Sequence, residues 1–451
     1  MRYCKKVIPW LVCMGMLTGC ARYMPSETEQ AAPQEEKMLQ GEDVLQGEDI
    51  LQEEGTPQQD RAMTEGRGAD GAALETASQE PKTENLRMSP AEELTPKDSF
   101  RKEQRTPVKV KGIYVSAYTA GNEAMMDNII AQIDKTELNA VVIDFKTDDG
   151  YIAAEIDAPA FREIDACRDY IPDLSALMEK LKRHNIYTIA RVVAFKDPYL
   201  AEKKPEWCLK TADGSIYRDK KGLAWVNPYR TEVWDYLVEA GSQAGKAGFD
   251  EVQFDYIRFA TDSTMKQVVF EEAETLGRGK TDIITEFTEY ASGKLSQQGL
   301  FVSADVFGAI IGSEADANAV GQIYGEMAEH MDYLCPMIYP SHYGDGNFGL
   351  DHPDLHPYET ILGALTKSKE DLSRYDAADG QAVVRPWRQD FTASYLKYYI
   401  PYRDAELRAQ IQAVYDAGYE EWILWNAANK YHYGGLLDEP STEAGGEIPA
   451  L

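Results

Sequence analysis

The chain has 451 residues, of which 43% are hydrophobic, and its formal net charge is −30 at pH 7. So strong a negative charge repels polyanions, which excludes nucleic acid as an expected partner and disfavours attachment to anionic lipid by charge alone. The hydrophobic fraction is sufficient for a large core in whatever part of the chain folds.

The first 20 residues have the pattern of an export signal. A positively charged start precedes an apolar run at residues 7–17, and the sequence Leu-Thr-Gly-Cys20 follows. The run is too short to cross a bilayer as a stable helix. The tetrad resembles the lipobox of bacterial lipoproteins, in which the cysteine is acylated and becomes the new amino terminus. We therefore expect the mature protein to be anchored by lipid at Cys20 to the extracellular side of the cell membrane.

The segment at residues 21–106 does not have the composition of a folded domain. It is rich in Glu, Gln, Ala, Thr and Pro, and its short acidic near-repeat at residues 39–50 is too brief to form a solenoid. Such a segment cannot bury enough apolar area to offset the entropy lost on ordering. We expect a disordered acidic spacer here, a folded domain over residues 107–438 and a flexible tail at 439–451.

From residue 108 onward, β-type runs alternate with stretches of helical periodicity, which is typical of parallel-sheet folds. Eight runs are present, at residues 110–115, 140–145, 187–193, 251–257, 301–307, 333–339, 382–387 and 421–426. Between them, apolar residues share one helical face at 174–181, 233–238 and 320–327. Asn227 followed by Pro228 predicts an N-cap and the first position of a helix.

Eight strands that alternate with helices predict a single (β/α)8 TIM barrel, an α/β fold. A doubly wound open sheet is the alternative. That fold would need a Gly-rich phosphate turn after an early strand, and the sequence has neither GxGxxG nor a Walker motif.

The active site of such a barrel lies at the carboxyl ends of its strands, and this rule selects candidate residues directly. The candidates are Asp144, Lys146, Arg191, Asp255, Arg258, Asp305, Tyr339, His342, Trp387, Asp390, Trp425 and Asn426. Carboxylates can transfer protons or attack an anomeric carbon, and aromatic rings can stack on sugars. A carboxylate in an apolar strand is costly unless it is paired or functional, so Asp255 and Asp305 are predicted to be catalytic. The other candidates would support them or contact substrate.

Several candidates also fit structural roles. Asp144 fits a supporting ion pair with Lys146 or Arg191 as well as it fits catalysis. Asp390 likewise fits a structural role as well as a functional one. The aromatic candidates could cap the core rather than stack on a sugar. The sequence Asp148-Asp149-Gly150 is typical of a turn, although Asp148 could face the site.

The fourth run resembles the signature strand of a bacterial family of glycoside hydrolases: residues 249–259 read FDEVQFDYIRF. Further segments fit the same family at residues 225–229, 303–308, 337–343 and 385–391. The resemblance covers residues 108–437 and implies a TIM barrel that hydrolyses glycosidic bonds. In a wider comparison, Asp255, Asp305 and Asp390 stand where α-amylase-like barrels carry a nucleophile, an acid and a supporting aspartate. Here the strand-5 acid is Asp rather than the usual Glu.

A metal site is not expected. His352 and His356 have the i, i+4 spacing of a metal-binding helix, but Pro353 and Pro357 interrupt any helix there, so a loop is predicted. We therefore expect no metal and no other cofactor. The absence of a GxSxG motif disfavours an esterase of the α/β-hydrolase type.

Together these features predict a membrane-tethered hydrolase that cleaves glycosidic bonds in an extracellular or cell-wall polysaccharide. Asp255 would be the nucleophile or base and Asp305 the general acid, with Arg258 and Asp144 in support. A non-catalytic carbohydrate-binding or surface-scaffold barrel is the alternative, and such a binder has no need of two adjacent carboxylates. A polysaccharide deacetylase would require the metal site that the sequence lacks.

Overall fold

The computed structural model describes residues 105–375 and 380–438, which form a closed parallel barrel. The strands are β1 (Lys111–Val115), β2 (Ala140–Lys146), β3 (Tyr187–Val193), β4 (Glu251–Asp255), β5 (Phe301–Phe307), β6 (Tyr333–Met337), β7 (Val383–Val384), β8 (Trp387–Gln389) and β9 (Trp422–Trp425). Strand β9 pairs with β1 and closes the barrel. Because β7 and β8 are two parts of one barrel strand, both alongside β6, the barrel has eight strands and the predicted fold is confirmed.

Helices lie between the strands, as the alternating pattern predicted. The α-helices are α1 (Ala117–Gly121), α2 (Glu123–Ile133), α3 (Pro159–Ile164), α4 (Leu174–Arg183), α5 (Pro198–Lys203), α6 (Thr231–Ala247), α7 (Glu272–Thr275), α8 (Lys280–Ser296), α9 (Glu314–Val320), α10 (Tyr324–His330), α11 (Pro357–Leu372) and α12 (Asp404–Asp416). In the described part of the chain, none of them has the length and hydropathy of a transmembrane span. The predicted leader, almost all of the predicted spacer and the predicted tail lie outside the described residues.

Two strand ends differ from their predicted positions for backbone reasons. Strand β4 stops at Asp255 instead of residue 257 because Tyr256 has a φ of 53°, in the left-handed region that ends an extended strand. The seventh barrel strand is interrupted at Pro386, which has no N–H to donate to the ladder. It continues as β8 to Gln389, two residues beyond the predicted run.

Two helical predictions were wrong. The apolar face at 320–327 belongs to two helices, α9 and α10, because Gly321 has a φ of 86° and a Cβ there would lie 2.8 Å from the carbonyl oxygen of Lys280. Asn227 does not cap a helix. Helix α6 begins at Thr231, and the Asn227 side chain instead accepts a hydrogen bond from the Tyr229 N–H in the preceding turn.

The barrel interior is divided into a polar layer at its amino-terminal end and an apolar layer above it. In the polar layer, Arg385 forms ion pairs of 2.8 Å with both Glu251 and Glu421. Glu421 also accepts the N–H of Val110, which joins the last strand to the start of the first. The apolar layer includes Val142, Ile189, Cys335 and Ile423. The carboxyl end of the barrel is polar again, and the candidate residues lie there.

The chain already contacts the barrel at Arg105, near the end of the predicted spacer. Arg105 forms an ion pair of 3.0 Å with Asp332 and donates to the carbonyl oxygen of Leu300. Its guanidinium lies 4.3 Å from the centroid of the Phe301 ring. These contacts hold the segment that precedes β1 against the amino-terminal ends of β5 and β6.

Candidate active site

Arg191 on β3 is the centre of a carboxylate cluster at the carboxyl ends of β2, β3 and β4. Its Nη1 donates to Asp144 at 2.8 Å and to Asp148 at 3.0 Å. Its Nε and Nη2 both donate to Oδ2 of Asp255, at 2.9 and 2.6 Å. The guanidinium, Asp144 and Asp255 are almost fully buried, so the ion pairs with these two aspartates are shielded from water and their geometry is fixed.

The local sequence explains this arrangement. Asp144 pairs with Arg191 across β2 and β3, and alternate residues of a strand face the same side of the sheet. On the neighbouring strand, Asp255 is the last residue of β4. The positive φ of Tyr256 turns the chain so that its N–H donates to Oδ1 of Asp255 at 2.6 Å. Both oxygens of Asp255 therefore accept hydrogen bonds, which fixes the orientation of the carboxylate.

Asp305 lies beside Asp255 in a different environment. The β4–β5 register pairs Phe254 with Ala304, so the next residues, Asp255 and Asp305, lie at the same level on adjacent strands. Oδ1 of Asp305 accepts a hydrogen bond of 2.6 Å from the indole N–H of Trp387. Burial, reinforced by the charge of Asp255, raises the pKa of Asp305 well above its usual range. The cluster thus combines a carboxylate held in ion pairs with a carboxyl group whose pKa is raised.

Asp144 and Asp148 complete the acidic side of the cluster. The hydroxyl of Tyr114 donates to Asp144 at 2.5 Å, and burial raises the pKa of Asp144 although Arg191 opposes the shift. At Asp148, burial acts in the same direction, but the charges of Arg191 and Lys196 outweigh it and lower the pKa to about 2. Asp148 therefore remains ionised at physiological pH.

Aromatic rings cover one side of the cluster. Trp425 stacks on Tyr114 with ring centroids 4.3 Å apart, and it meets Trp387 edge-on at 5.6 Å. The guanidinium of Arg191 lies 5.7 Å from the Trp425 ring. Trp425 is only partly buried, so part of its surface remains available next to the carboxylates.

Three predicted residues make their contacts elsewhere. Lys146 is fully buried and pairs with Asp197 at 2.6 Å, so of the two partners proposed for Asp144 only Arg191 is observed. The guanidinium of Arg258 lies 4.3 Å from the Phe307 ring centroid and donates to the carbonyl oxygen of Phe259. Asn426 donates to backbone carbonyl oxygens of Asp390 and Lys430 and so holds the loop after β9 in place.

The remaining candidates lie at the same end of the barrel. Asp390 is fully buried and accepts two hydrogen bonds from His432, one from its backbone N–H at 2.9 Å and one from its ring at 2.6 Å. Tyr339 is buried and its ring meets that of His342 edge-on at 5.1 Å. Burial lowers the pKa of His342 to about 4, so its ring is neutral at physiological pH.

The described residues contain no group of three or more His, Cys, Asp or Glu arranged to hold a metal ion. His352, one of the two histidines at metal-binding spacing, pairs with Asp345 and stacks on Tyr398 with ring centroids 4.0 Å apart. The candidate residues at this end of the barrel carry carboxyl groups, guanidinium groups, an imidazole and aromatic rings.

Tyr114 and Tyr256 belong to the cluster and were not among the predicted site residues. Tyr114 faces the barrel interior, as Val110 does, and the alternation of side chains along β1 could have indicated it. Tyr256 carries no sequence signal, because a tyrosine rarely adopts a positive φ. Asp148, predicted mainly as a turn residue, does face Arg191.

A closed parallel barrel with paired carboxyl groups at the carboxyl ends of its strands defines a glycosidase-like (β/α)8 domain. The chain belongs to the family described as "Putative glycosyl hydrolase domain", whose model matches residues 112–431. No curated protein matches the chain.

Solved structures similar to the chain include a hypothetical protein from Ruminiclostridium thermocellum, at 39% identity over 43% of this chain and 97% of that one, with a TM-score of 0.40. The glycoside hydrolase domain of PgaB (BpsB) from Bordetella bronchiseptica is 13% identical over 71% of this chain and 94% of that one, with a TM-score of 0.47. The α-galactosidase TtGalA from Thermus thermophilus is 13% identical over 72% and 59%, with a TM-score of 0.44.

Proposed function

We propose that this protein hydrolyses glycosidic bonds in an extracellular or cell-wall polysaccharide, with Asp305 as the general acid and Asp255 as the nucleophile or base. The observation that carries the proposal is the contrast between these two adjacent carboxyl groups. Burial and a neighbouring charge raise the pKa of Asp305, whereas Asp255 is held in ion pairs by Arg191. Glycoside hydrolysis requires this division into one proton donor and one carboxylate.

The surrounding residues support the same chemistry. Trp425, stacked on Tyr114 beside the carboxylates, offers a ring surface on which a sugar can stack. The indole N–H of Trp387 fixes the position of the Asp305 carboxyl group through its hydrogen bond to Oδ1. Among the described residues, Oδ2 of Asp305 has no hydrogen-bond partner, and it is the oxygen from which a proton can pass to the leaving group.

We further propose that the enzyme acts outside the cell, anchored to the membrane through a lipid on Cys20. The support is the order of a charged start, a short apolar run and a lipobox-like tetrad in the first 20 residues. The acidic spacer that follows would hold the barrel away from the bilayer and within reach of a polymeric substrate.

The proposal is tested by measuring reducing-sugar release from a panel of cell-wall and exported polysaccharides. Asp255→Asn and Asp305→Asn should each lower kcat by about 10²–10⁴-fold, measured on variants that circular dichroism shows to be folded. Asp127→Asn is the matched control, because Asp127 lies on the outer surface of α2 with its side chain 56% exposed. Full activity in either active-site variant would refute the assignment.

If the unaltered protein bound a glycan and released no reducing sugar from any member of the panel, hydrolysis itself would be refuted. The carbohydrate-binding alternative would then be favoured. Binding is measured separately, by calorimetry on the same polysaccharides, so that loss of catalysis and loss of affinity are distinguished.

A further inference from the structure

Four arginines are completely or almost completely buried, at positions 191, 258, 385 and 388, and Arg388 differs from Arg191 and Arg385 in its partners. Arg191 pairs with aspartates and Arg385 pairs with glutamates. Arg388, on β8, forms no ion pair with any described residue. Its Nη1 donates weakly to the carbonyl oxygen of Ile338 at 3.4 Å, and its Nε and Nη2 have no hydrogen-bond partner. Two nitrogen atoms of a buried cation, which carry three N–H bonds, are thus left without an acceptor.

A second polar group in the same region also lacks a partner. The hydroxyl of Tyr343 is buried and forms no hydrogen bond. It lies over Gly308, where a Cβ would come within 2.3 Å of the hydroxyl and 3.3 Å of the Ile338 side chain. Tyr343 and Arg388 therefore border the same residue, Ile338, between the ends of β5, β6 and β8.

The charge of Arg388 is not neutralised by its surroundings. Burial lowers the pKa of Arg388 to about 9, so the guanidinium is still a cation at neutral pH. The ionisable groups that interact with it are the hydroxyls of Tyr343, Tyr339 and Tyr324, and no carboxylate is among them. A buried cation without a counter-charge is costly, as is a buried donor without an acceptor.

We propose that a small monovalent anion, with chloride as the representative, binds between the guanidinium of Arg388 and the hydroxyl of Tyr343. An anion supplies the missing negative charge and accepts hydrogen bonds from Nε, Nη2 and the phenol together. The site is enclosed, since Arg388 is 0% exposed, so the ligand must be small. A water molecule could accept from these donors but would leave the cation uncompensated.

The position of the site gives the anion a structural role. Arg388 directly follows Trp387, whose indole N–H holds Asp305. Neutralising Arg388 therefore stabilises the strand that carries this hydrogen bond. We expect the anion to stabilise the folded protein, because a ligand that binds only the folded state shifts the unfolding equilibrium.

Thermal unfolding of the purified protein tests the proposal when gluconate is replaced by chloride at constant ionic strength. Above the dissociation constant, each tenfold increase in chloride should raise Tm by roughly 2 °C for a domain of this size. Arg388→Met should remove this dependence, and Tyr343→Phe, which keeps the cation, should weaken it. Arg374→Met is the control and should keep it, because the Arg374 side chain is 66% exposed.

Crystals grown in bromide provide the second measurement. An anomalous peak within hydrogen-bond distance of Arg388 Nε or Nη2 and of the Tyr343 hydroxyl is expected. Density without anomalous signal at that position, or a Tm that depends on ionic strength and not on chloride, would overturn the proposal. The bromide result decides the matter even if Arg388→Met fails to fold.

Discussion

Replacing Arg191 with methionine should destabilise the barrel strongly at neutral pH. Arg191 is 2% exposed, and it pairs with the buried carboxylates of Asp144 and Asp255 and with the more accessible Asp148. Methionine fills much of the same volume, so the main loss is the counter-charge of two buried carboxylates. Removing one partner of a buried ion pair typically costs about 3–5 kcal/mol, and we expect a loss of this size in the free energy of unfolding at pH 7.

The loss should depend on pH in a definite direction. Burial raises the pKa of Asp144 even with Arg191 present, and removing Arg191 raises it further. A carboxyl group with a raised folded-state pKa destabilises the fold above that pKa, and this penalty disappears as the pH falls towards the unfolded value. Asp148, whose pKa is lowered to about 2, contributes stability above its unfolded value that the variant also loses. The Asp144 effect makes the defect smaller as the pH falls towards about 3.9, and the Asp148 effect makes it smaller only below that value.

Urea unfolding at pH 7 and at about pH 4.5 measures the loss in the free energy of unfolding and its dependence on pH. The first pH lies above the unfolded carboxyl pKa and the second lies near it. Arg374→Met serves as the control because it removes an exposed arginine whose pair with Asp371 contributes about 1 kcal/mol or less. An equal loss of stability in the two variants, or a loss for Arg191→Met that is the same at both pH values, would refute the reasoning.

Three further predictions concern the acid, the anchor and the spacer. Trp387→Phe removes the hydrogen bond that favours ionised Asp305, so the pKa of Asp305 should rise. The alkaline limb of the kcat/KM profile should therefore move to higher pH. A downward shift of that limb would contradict the assignment. Cys20→Ser should abolish incorporation of a fatty-acid probe, and equal labelling would exclude lipid at this position. Deleting residues 21–104 should leave Tm unchanged. A deletion that extends through Arg105 should lower Tm, because the ion pair with Asp332 is lost. A large fall in Tm with the shorter deletion would mean that the spacer contributes to the fold.

The positions of the strands, and with them the rim of candidate residues, followed from sequence pattern. Two runs, at 187–193 and 301–307, match β3 and β5 at both ends. The rule that sites lie at the carboxyl ends of barrel strands then selected the candidate residues, and the cost of a carboxylate in an apolar strand singled out Asp255 and Asp305. The strands could be located because strand alternation and topology are properties of the chain itself.

The partners of the side chains could not be predicted in the same way. The β2–β3 register shifts between Asp144 and Lys146, and an irregularity of this kind redirects the side chains that follow it. Lys146 accordingly pairs with Asp197, far along the sequence. Arg191 pairs with Asp144, Asp148 and Asp255. Such pairings depend on the packing of several strands together, which no local pattern contains.

The polar layer at the amino-terminal end of the barrel has a consequence for the order of folding. Glu251 on β4 finds its cation in Arg385, 134 residues later, and Glu421, which shares that cation, also accepts the N–H of Val110 at the start of the barrel. A nascent chain that ends before Arg385 buries Glu251 without a counter-charge, so half a barrel gains little from closing early. The domain should therefore fold as one cooperative unit after its last strand is available, and the chain can remain unfolded until its synthesis is complete.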